Sequence, residues 1–191
     1  MLNIGKLLLI PGVFLFSASS HAVGLVLEMG LHTGGDELVT ANFTSGDSET
    51  LKAGGLYHFS IGAGFDIGDY VESRITAGIK QTTITASNGD ISFTRYPIDA
   101  VFFYKLESWR LGGGLTYHTN VKLDSSGLSP PLTADFDNAL GLLLEVDFYM
   151  GEKAYIGGRY TVIEYDTVPS DTVKAATVDG NSIGIILGLR F

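Results

Sequence analysis

Cysteine is absent from this 191-residue chain, so it offers neither a disulfide framework, nor a thiolate site, nor the acylated N-terminal cysteine of a lipoprotein. Long apolar runs are nearly absent too. The run of ten from Leu7 to Phe16 falls well short of the about 20 apolar residues that a membrane-spanning helix needs, although hydrophobic residues make up 45% of the chain. Apolar side chains are therefore dispersed, which excludes a bundle of transmembrane helices. Bases are scarce, with 12 Lys and Arg against 21 Asp and Glu and a formal charge of -9. A phosphate backbone needs a basic face, so no nucleic-acid partner is expected. After residue 22 no 3.6-residue period of any length appears, so amphipathic helices are not expected either.

What the chain has begins with an address. Met1 to Lys6 carries one positive charge, Leu7 to Phe16 is apolar, and Ser20-His21-Ala22 places small residues at the two subsites that signal peptidase reads. This predicts a signal peptide over residues 1–22, cleaved after Ala22, and a mature chain of 23–191. Without Lys6 the charge becomes -10.

The rest alternates with period 2 between turn residues. Eight strands are predicted: Gly24 to Thr33, Gly55 to Asp66, Val71 to Thr85, Ser92 to Leu106, Trp109 to Val121, Asn138 to Met150, Ala154 to Tyr165 and Ser182 to Phe191. In the sixth, Leu140, Leu142, Leu144, Val146 and Phe148 alternate with Gly141, Leu143, Glu145 and Asp147. In the fifth, Trp109, Leu111, Leu115 and Tyr117 oppose Arg110, Thr116, His118 and Asn120. Charges within one strand share one parity at 72/74/80, at 95/99/105 and at 145/147. Five such agreements would arise by chance about once in thirty if side chains simply alternated between two faces. One face is kept free of charge.

Segments of roughly ten residues suit tilted strands crossing hydrocarbon, where only a closed barrel leaves no backbone edge unpaired. The joins agree. Those at 67–70, 107–108 and 151–153 are tight, whereas Gly34 to Gly54, Ala86 to Ile91, Lys122 to Asp137 and Asp166 to Asn181 are longer. Short turns alternate with long loops in outer-membrane barrels, which places both termini in the periplasm. The fold expected is all-β, an eight-stranded antiparallel up-and-down transmembrane barrel.

Alternation alone does not say which face points inward, and a soluble exported barrel of the lipocalin type would bury the apolar face. Ionic balance favours lipid outside. One face holds Glu28, Asp66, Glu72, Asp99, Glu145 and Asp147 with Arg74, Lys80, Arg95, Lys105, Arg110, Arg159 and Arg190, close to neutral as a paired lumen should be. The other carries Phe65, Tyr104, Trp109, Phe148 and Phe191 near one end and Tyr57, Tyr117 and Tyr160 near the other, as interfacial aromatics would lie.

The ending Ile-Leu-Gly-Leu-Arg-Phe, residues 186–191, resembles the C-terminal signature of bacterial outer-membrane proteins. Strand plan and size are similar to the OmpA/OmpX/OmpW group of small barrels across the whole mature chain. The resemblance implies that the barrel-assembly machinery reads Phe191, and that outer-membrane lipid and lipopolysaccharide surround the protein. It implies no activity, since that group includes structural, adhesive and narrow-channel proteins.

Three candidate chemistries remain. The lumen ions are read as a side-chain plug in a structural or surface-interaction protein, or alternatively as the lining of a narrow passive channel. His58 and Ser60, two apart on one strand face with Glu28 on the neighbouring strand, are similar to the His-x-Ser arrangement of PagL-type lipid A deacylases, which implies a lipid A-modifying hydrolase. Here, however, the pair lies in the second strand and faces the lumen, whereas that family places it in a late strand facing lipid. The long loops are acidic, with Asp36, Glu37, Asp47, Glu49, Asp124, Asp135, Asp137, Glu164, Asp166, Asp171 and Asp179. Divalent cations bridging to lipopolysaccharide phosphates would suit those oxygens, but no EF-hand spacing appears and neither a metal nor a cofactor is called for by any motif. Within the first loop, Asp36 to Thr44 and Glu49 to Gly54 are expected to extend the first two strands as a protruding hairpin whose edge could pair with an extracellular protein.

Overall fold

Period-2 alternation becomes β-strand throughout the computed structural model, which describes residues 23–42, 48–86, 89–127, 131–170 and 173–191. The predicted signal peptide lies outside the described residues, as does the Ser45-Gly46-Asp47 tip of the first loop. Thirteen strands are formed among the described residues. They are β1 (Val23–Thr33), β2 (Glu37–Asn42), β3 (Ser48–Lys52), β4 (Leu56–Ile67), β5 (Val71–Ala86), β6 (Gly89–Lys105), β7 (Trp109–Ser126), β8 (Ala134–Phe136), β9 (Ala139–Met150), β10 (Ala154–Val162), β11 (Glu164–Asp166), β12 (Thr177–Asp179) and β13 (Ser182–Arg190).

Eight of them, β1, β4, β5, β6, β7, β9, β10 and β13, pair in chain order, each antiparallel to the next. The ring closes where β1 meets β13, with Val26 opposite Arg190 and Thr33 opposite Ile183. Closure removes the edge that would otherwise leave amides unpaired in hydrocarbon. The expected fold is the one observed.

Orientation follows from exposure. Leu140, Leu142, Leu144 and Val146 of β9 point outward while Leu143, Glu145 and Asp147, alternating with them, are buried. Around the ring Leu27, Phe59, Ile75, Phe102, Leu111, Ile156, Ile185 and Leu187 are likewise exposed. A continuous apolar girdle of that kind is intolerable in water and is what lipid requires. The soluble, lipocalin-like arrangement is thereby excluded. Trp109 and Phe148 meet edge to face at 4.9 Å near the short-turn end, and Tyr70 stacks on Tyr104 at 6.4 Å.

Four expectations need correction. Asn120 does not share the inward face of Arg110, Thr116 and His118. A register shift between Thr94 and Tyr96 on β6 matches an extra residue on β7, where Asn120 takes a positive φ of 48°. Parity flips there, turning Asn120 outward and Val121 inward. Neighbouring Pro97, which has no N–H for the ladder, fits beside such a bulge. The join at 86–91 is not a long loop, because β5 and β6 stay paired up to Ala86 opposite Gly89. The seventh strand is interrupted at Ile163, whose N–H donates to the Asn181 side chain at 2.8 Å, and β11 pairs with β12 beyond it. Finally, β2 and β3 form their own two-stranded sheet instead of continuing β1 and β4. Gly34 and Gly35, at φ of 124° and 75°, turn the chain, and the hairpin tucks Leu51 and Ala53 into a buried cluster.

Strands β5, β6 and β7 run for 16, 17 and 18 residues, well beyond the roughly ten needed to cross the membrane. Their far ends build an apolar cap over the long-loop mouth.

Candidate functional site

Inside the ring, inward positions from every barrel strand converge on a polar lumen. Six carboxylates, Glu28, Asp66, Glu72, Asp99, Glu145 and Asp147, share it with seven cations, Arg74, Lys80, Arg95, Lys105, Arg110, Arg159 and Arg190. From the short-turn end the pairs climb as a ladder. Asp66 holds Lys105 at 2.7 Å and Arg190 at 2.5 Å, and Arg190 also meets Glu72 at 3.1 Å. Glu72 then pairs with Arg110 at 2.6 Å, and Arg110 with Asp147 at 2.7 Å.

Higher up, Arg74 takes Glu145 at 2.6 Å and Glu28 at 2.7 Å, with Asp147 at 3.8 Å. Arg159 bridges Glu145 at 2.8 Å, Glu28 at 3.0 Å and Asp99 at 3.1 Å. Charge buried this deeply survives only when it is paired and hydrogen-bonded on all sides, since each partner removed strands another. Sharing among several partners meets that need.

Aromatic side chains fill the gaps that ions leave. Tyr155 donates to Glu28 at 2.5 Å and accepts from Arg74 at 3.0 Å, while Arg110 lies 4.1 Å above its ring. Arg74, at 4.6 Å, and Arg110, at 4.3 Å, both lie over the Phe103 ring. Both aromatics carry the inward parity, Tyr155 with Arg159 and Phe103 with Asp99, yet their hydrophobicity hid them from a search for lumen ions. Glycine makes their room, because a Cβ at Gly188 would fall on the Tyr155 ring and one at Gly112 on Phe103.

Two expected members stand apart from the ladder. Lys80 has no carboxylate within 4 Å among the described residues and donates to Ser182 at 2.9 Å. Arg95 turns upward, donates to the carbonyls of Ala53 and Gly55, and lies 4.5 Å over the Phe93 ring. It thereby ties the lumen to the cap, where Leu51, Ala53, Ile84, Phe93, Val121, Ile163 and Tyr165 are all 2% exposed or less. Phe93 meets Phe136 and Tyr165 edge to face at 5.4 and 5.7 Å. Burial pushes the Tyr165 phenol, on β11 beyond the membrane-spanning strands, above its ordinary pKa, with Arg95 beside it opposing that rise. The phenol shares a hydrogen bond of 2.6 Å with His118 Nδ1.

The residues of the candidate triad all face inward, but they are not joined as a triad. Ser60 donates directly to Glu28 at 3.1 Å, while neither ring nitrogen of His58 has a hydrogen-bond partner among the described residues. His58 lies edge-on to His32, with centroids 5.6 Å apart. Nucleophile, base and orienting carboxylate must hydrogen-bond in series, and here the carboxylate holds the serine. Phe191 lies outward at the short-turn end, its backbone paired with Leu25 through two hydrogen bonds of 2.9 and 3.1 Å.

In the loops, several acids are engaged in local architecture. Asp36 accepts from the Asp179 amide at 2.9 Å, Asp179 from both the amide and side chain of Asn181, and Asp166 from Thr177 at 2.6 Å. Among the described residues no three His, Asp or Glu are grouped so as to hold a metal ion.

Residues 8–191 match the family model described as outer membrane protein beta-barrel domain. No curated protein sequence matches the chain. Among solved structures it is similar to Ail, the attachment invasion locus protein of Yersinia pestis, in complex with the heparin analogue sucrose octasulfate. That match has 13% identity and a TM-score of 0.58, covering 90% of this chain and 99% of that one. A second structure of Ail matches at 13% identity and 0.55, covering 88% and 97%. Neisserial surface protein A follows at 16% identity and 0.45, covering 86% and 96%.

Proposed function

The chain belongs to the family of outer membrane protein beta-barrel domains, and from that premise we propose a non-conducting, non-catalytic anchor that presents its long-loop surface for contact outside the cell. It is an integral outer-membrane protein. The observation that carries the proposal is the double closure of the lumen, by the ion ladder within the membrane and by the apolar cap above it. An ion in transit would have to break buried pairs and then part a packed apolar cluster. Engagement of Ser60 by Glu28, and the lack of a hydrogen bond from His58 to either among the described residues, speak against hydrolase chemistry.

The termini lie in the periplasm in this proposal, a reading supported by the three tight turns at their end of the barrel. Phe191 there is the handle for the barrel-assembly machinery, and outer-membrane lipid and lipopolysaccharide surround the barrel. A surface-contact role accords with the attachment protein whose fold this chain shares. Its ligand does not carry over. Glu37, Glu49, Asp124, Asp135, Asp137 and Glu164 at the long-loop end would repel a polysulfated sugar, so the contact surface suits uncharged or cationic partners.

Planar-bilayer recording tests the closure. The purified protein is expected to be electrically silent, and stays silent after charge changes at Arg95 or Glu145. Discrete conductance steps whose size falls with those changes would establish a channel instead.

A further inference from the structure

Between the ion ladder and the apolar cap lies a small cavity with room for about one water molecule, walled in part by His32, His58, His118, Lys80, Asp99 and Arg159. Strand register sets this level. His58 pairs with Lys80 across β4 and β5, and Lys80 with Arg95 across β5 and β6. His32 arrives from β1 opposite Gly184, where any Cβ would strike its ring.

The charges here do not balance. Asp99 is taken by Arg159 at 3.1 Å and by the Thr116 hydroxyl at 2.6 Å. Among the described residues the ladder uses all six lumen carboxylates on five cations, which leaves Lys80 and Arg95 above it and one positive charge in excess. Arg95 leans away toward carbonyls, so the excess falls at Lys80, 4% exposed and, among the described residues, hydrogen-bonded to Ser182 alone.

The cavity wall also offers donors. His32 and His58 are 3% and 2% exposed, and all four of their ring nitrogens lack a hydrogen-bond partner among the described residues. Even a neutral imidazole carries one N–H, so each ring brings at least one unspent donor to the cavity. Buried donors without an acceptor cost on the order of 1–3 kcal/mol each, which a suitable occupant would recover. No metal fits, because a cation would add to the excess charge.

We infer that this cavity binds one small monovalent anion of halide size, chloride under ordinary conditions, as the counter-charge of Lys80. A single negative charge brings the lumen to neutrality. The space excludes sulfate and phosphate, whose size and double charge both mismatch it. The ion would be enclosed as the barrel closes, since the ladder lies below and the cap above.

The protein refolded from urea into detergent in sodium bromide, then crystallised, provides the direct test. Anomalous scattering at the bromine edge should show one ion in the cavity in contact with the Lys80 ammonium. In solution, a tenfold rise in bromide or chloride at constant ionic strength should raise the folded-to-unfolded ratio by up to about tenfold, with sulfate giving no such rise. Lys80→Met should abolish the halide-specific rise. Should that variant fail to fold, the halide and sulfate series of the wild-type protein decide alone. Absence of bromide from the cavity, or superimposable halide and sulfate series, would overturn the inference and assign the space to water.

Discussion

Replacing Arg159 with methionine, of similar length and without charge, tests the ladder where three carboxylates meet one cation. The guanidinium is 2% exposed and serves three carboxylates, Glu28, Asp99 and Glu145. Breaking a buried pair by removing one partner costs about 3–5 kcal/mol. The low end applies, because Arg74 still holds Glu28 and Glu145 at 2.7 and 2.6 Å, while Asp99 keeps, among the described residues, its Thr116 hydrogen bond. Taking about 3 kcal/mol and a urea dependence of about 2 kcal/mol/M, the unfolding midpoint should fall by about 1.5 M. Trp109, the single tryptophan, sits at the lipid-facing girdle and reports unfolding in vesicles by its fluorescence. Adding Asp99→Asn to Arg159→Met should return on the order of 1 kcal/mol, since the stranded charge is then gone. A midpoint for Arg159→Met within about 0.3 M of wild type would refute the reasoning, because changes that small typify exposed sites.

Other consequences are read with the same or simpler assays. Gly188→Ala forces a methyl onto the Tyr155 ring and should lower the urea midpoint by an amount worth about 1–3 kcal/mol; an unchanged midpoint contradicts the packing described. Asn120→Val places a β-branched side chain at positive φ and should destabilise by about 1–2 kcal/mol, whereas Asn120→Gly should not destabilise, and equal effects would show that the bulge is misplaced. Lipopolysaccharide incubated with wild type or with Ser60→Ala should keep all its acyl chains in both cases, and loss with wild type alone would restore the hydrolase reading. Phe191→Ala should refold normally in detergent yet assemble poorly in cells, seen as loss of the heat-modifiable gel band; normal assembly removes its role as a handle.

Much of this architecture was legible because a strand's two faces are separated by a single residue step, so the parity of Glu72, Arg74 and Lys80 already placed three ions on one side. Who pairs with whom was not legible. Arg159 meets Glu28 across 131 residues of sequence, and long side chains reach across the barrel in ways that parity does not encode. The bulge at Asn120 escaped because one inserted residue leaves the alternation intact on either side and merely inverts it. The cap escaped too, although a signal existed. Along the inward face of β6, Asp99 and Arg95 give way to Phe93 and Ile91, and along β5 Lys80 gives way to Ile84, so the inward side turns apolar where the membrane ends.

Whether lipid covers one face and the lumen the other is best measured on methyl groups of the unmodified protein, where neighbouring residues point in opposite directions. In lipid nanodiscs, nuclear Overhauser transfer from acyl-chain protons should reach Leu142, Leu144, Ile185 and Leu187 strongly and leave Leu143, Ile186, Val26 and Val101 untouched. Equal transfer to Leu142 and Leu143, or stronger transfer to Leu143 and Ile186, would contradict a polar lumen inside a lipid-facing barrel.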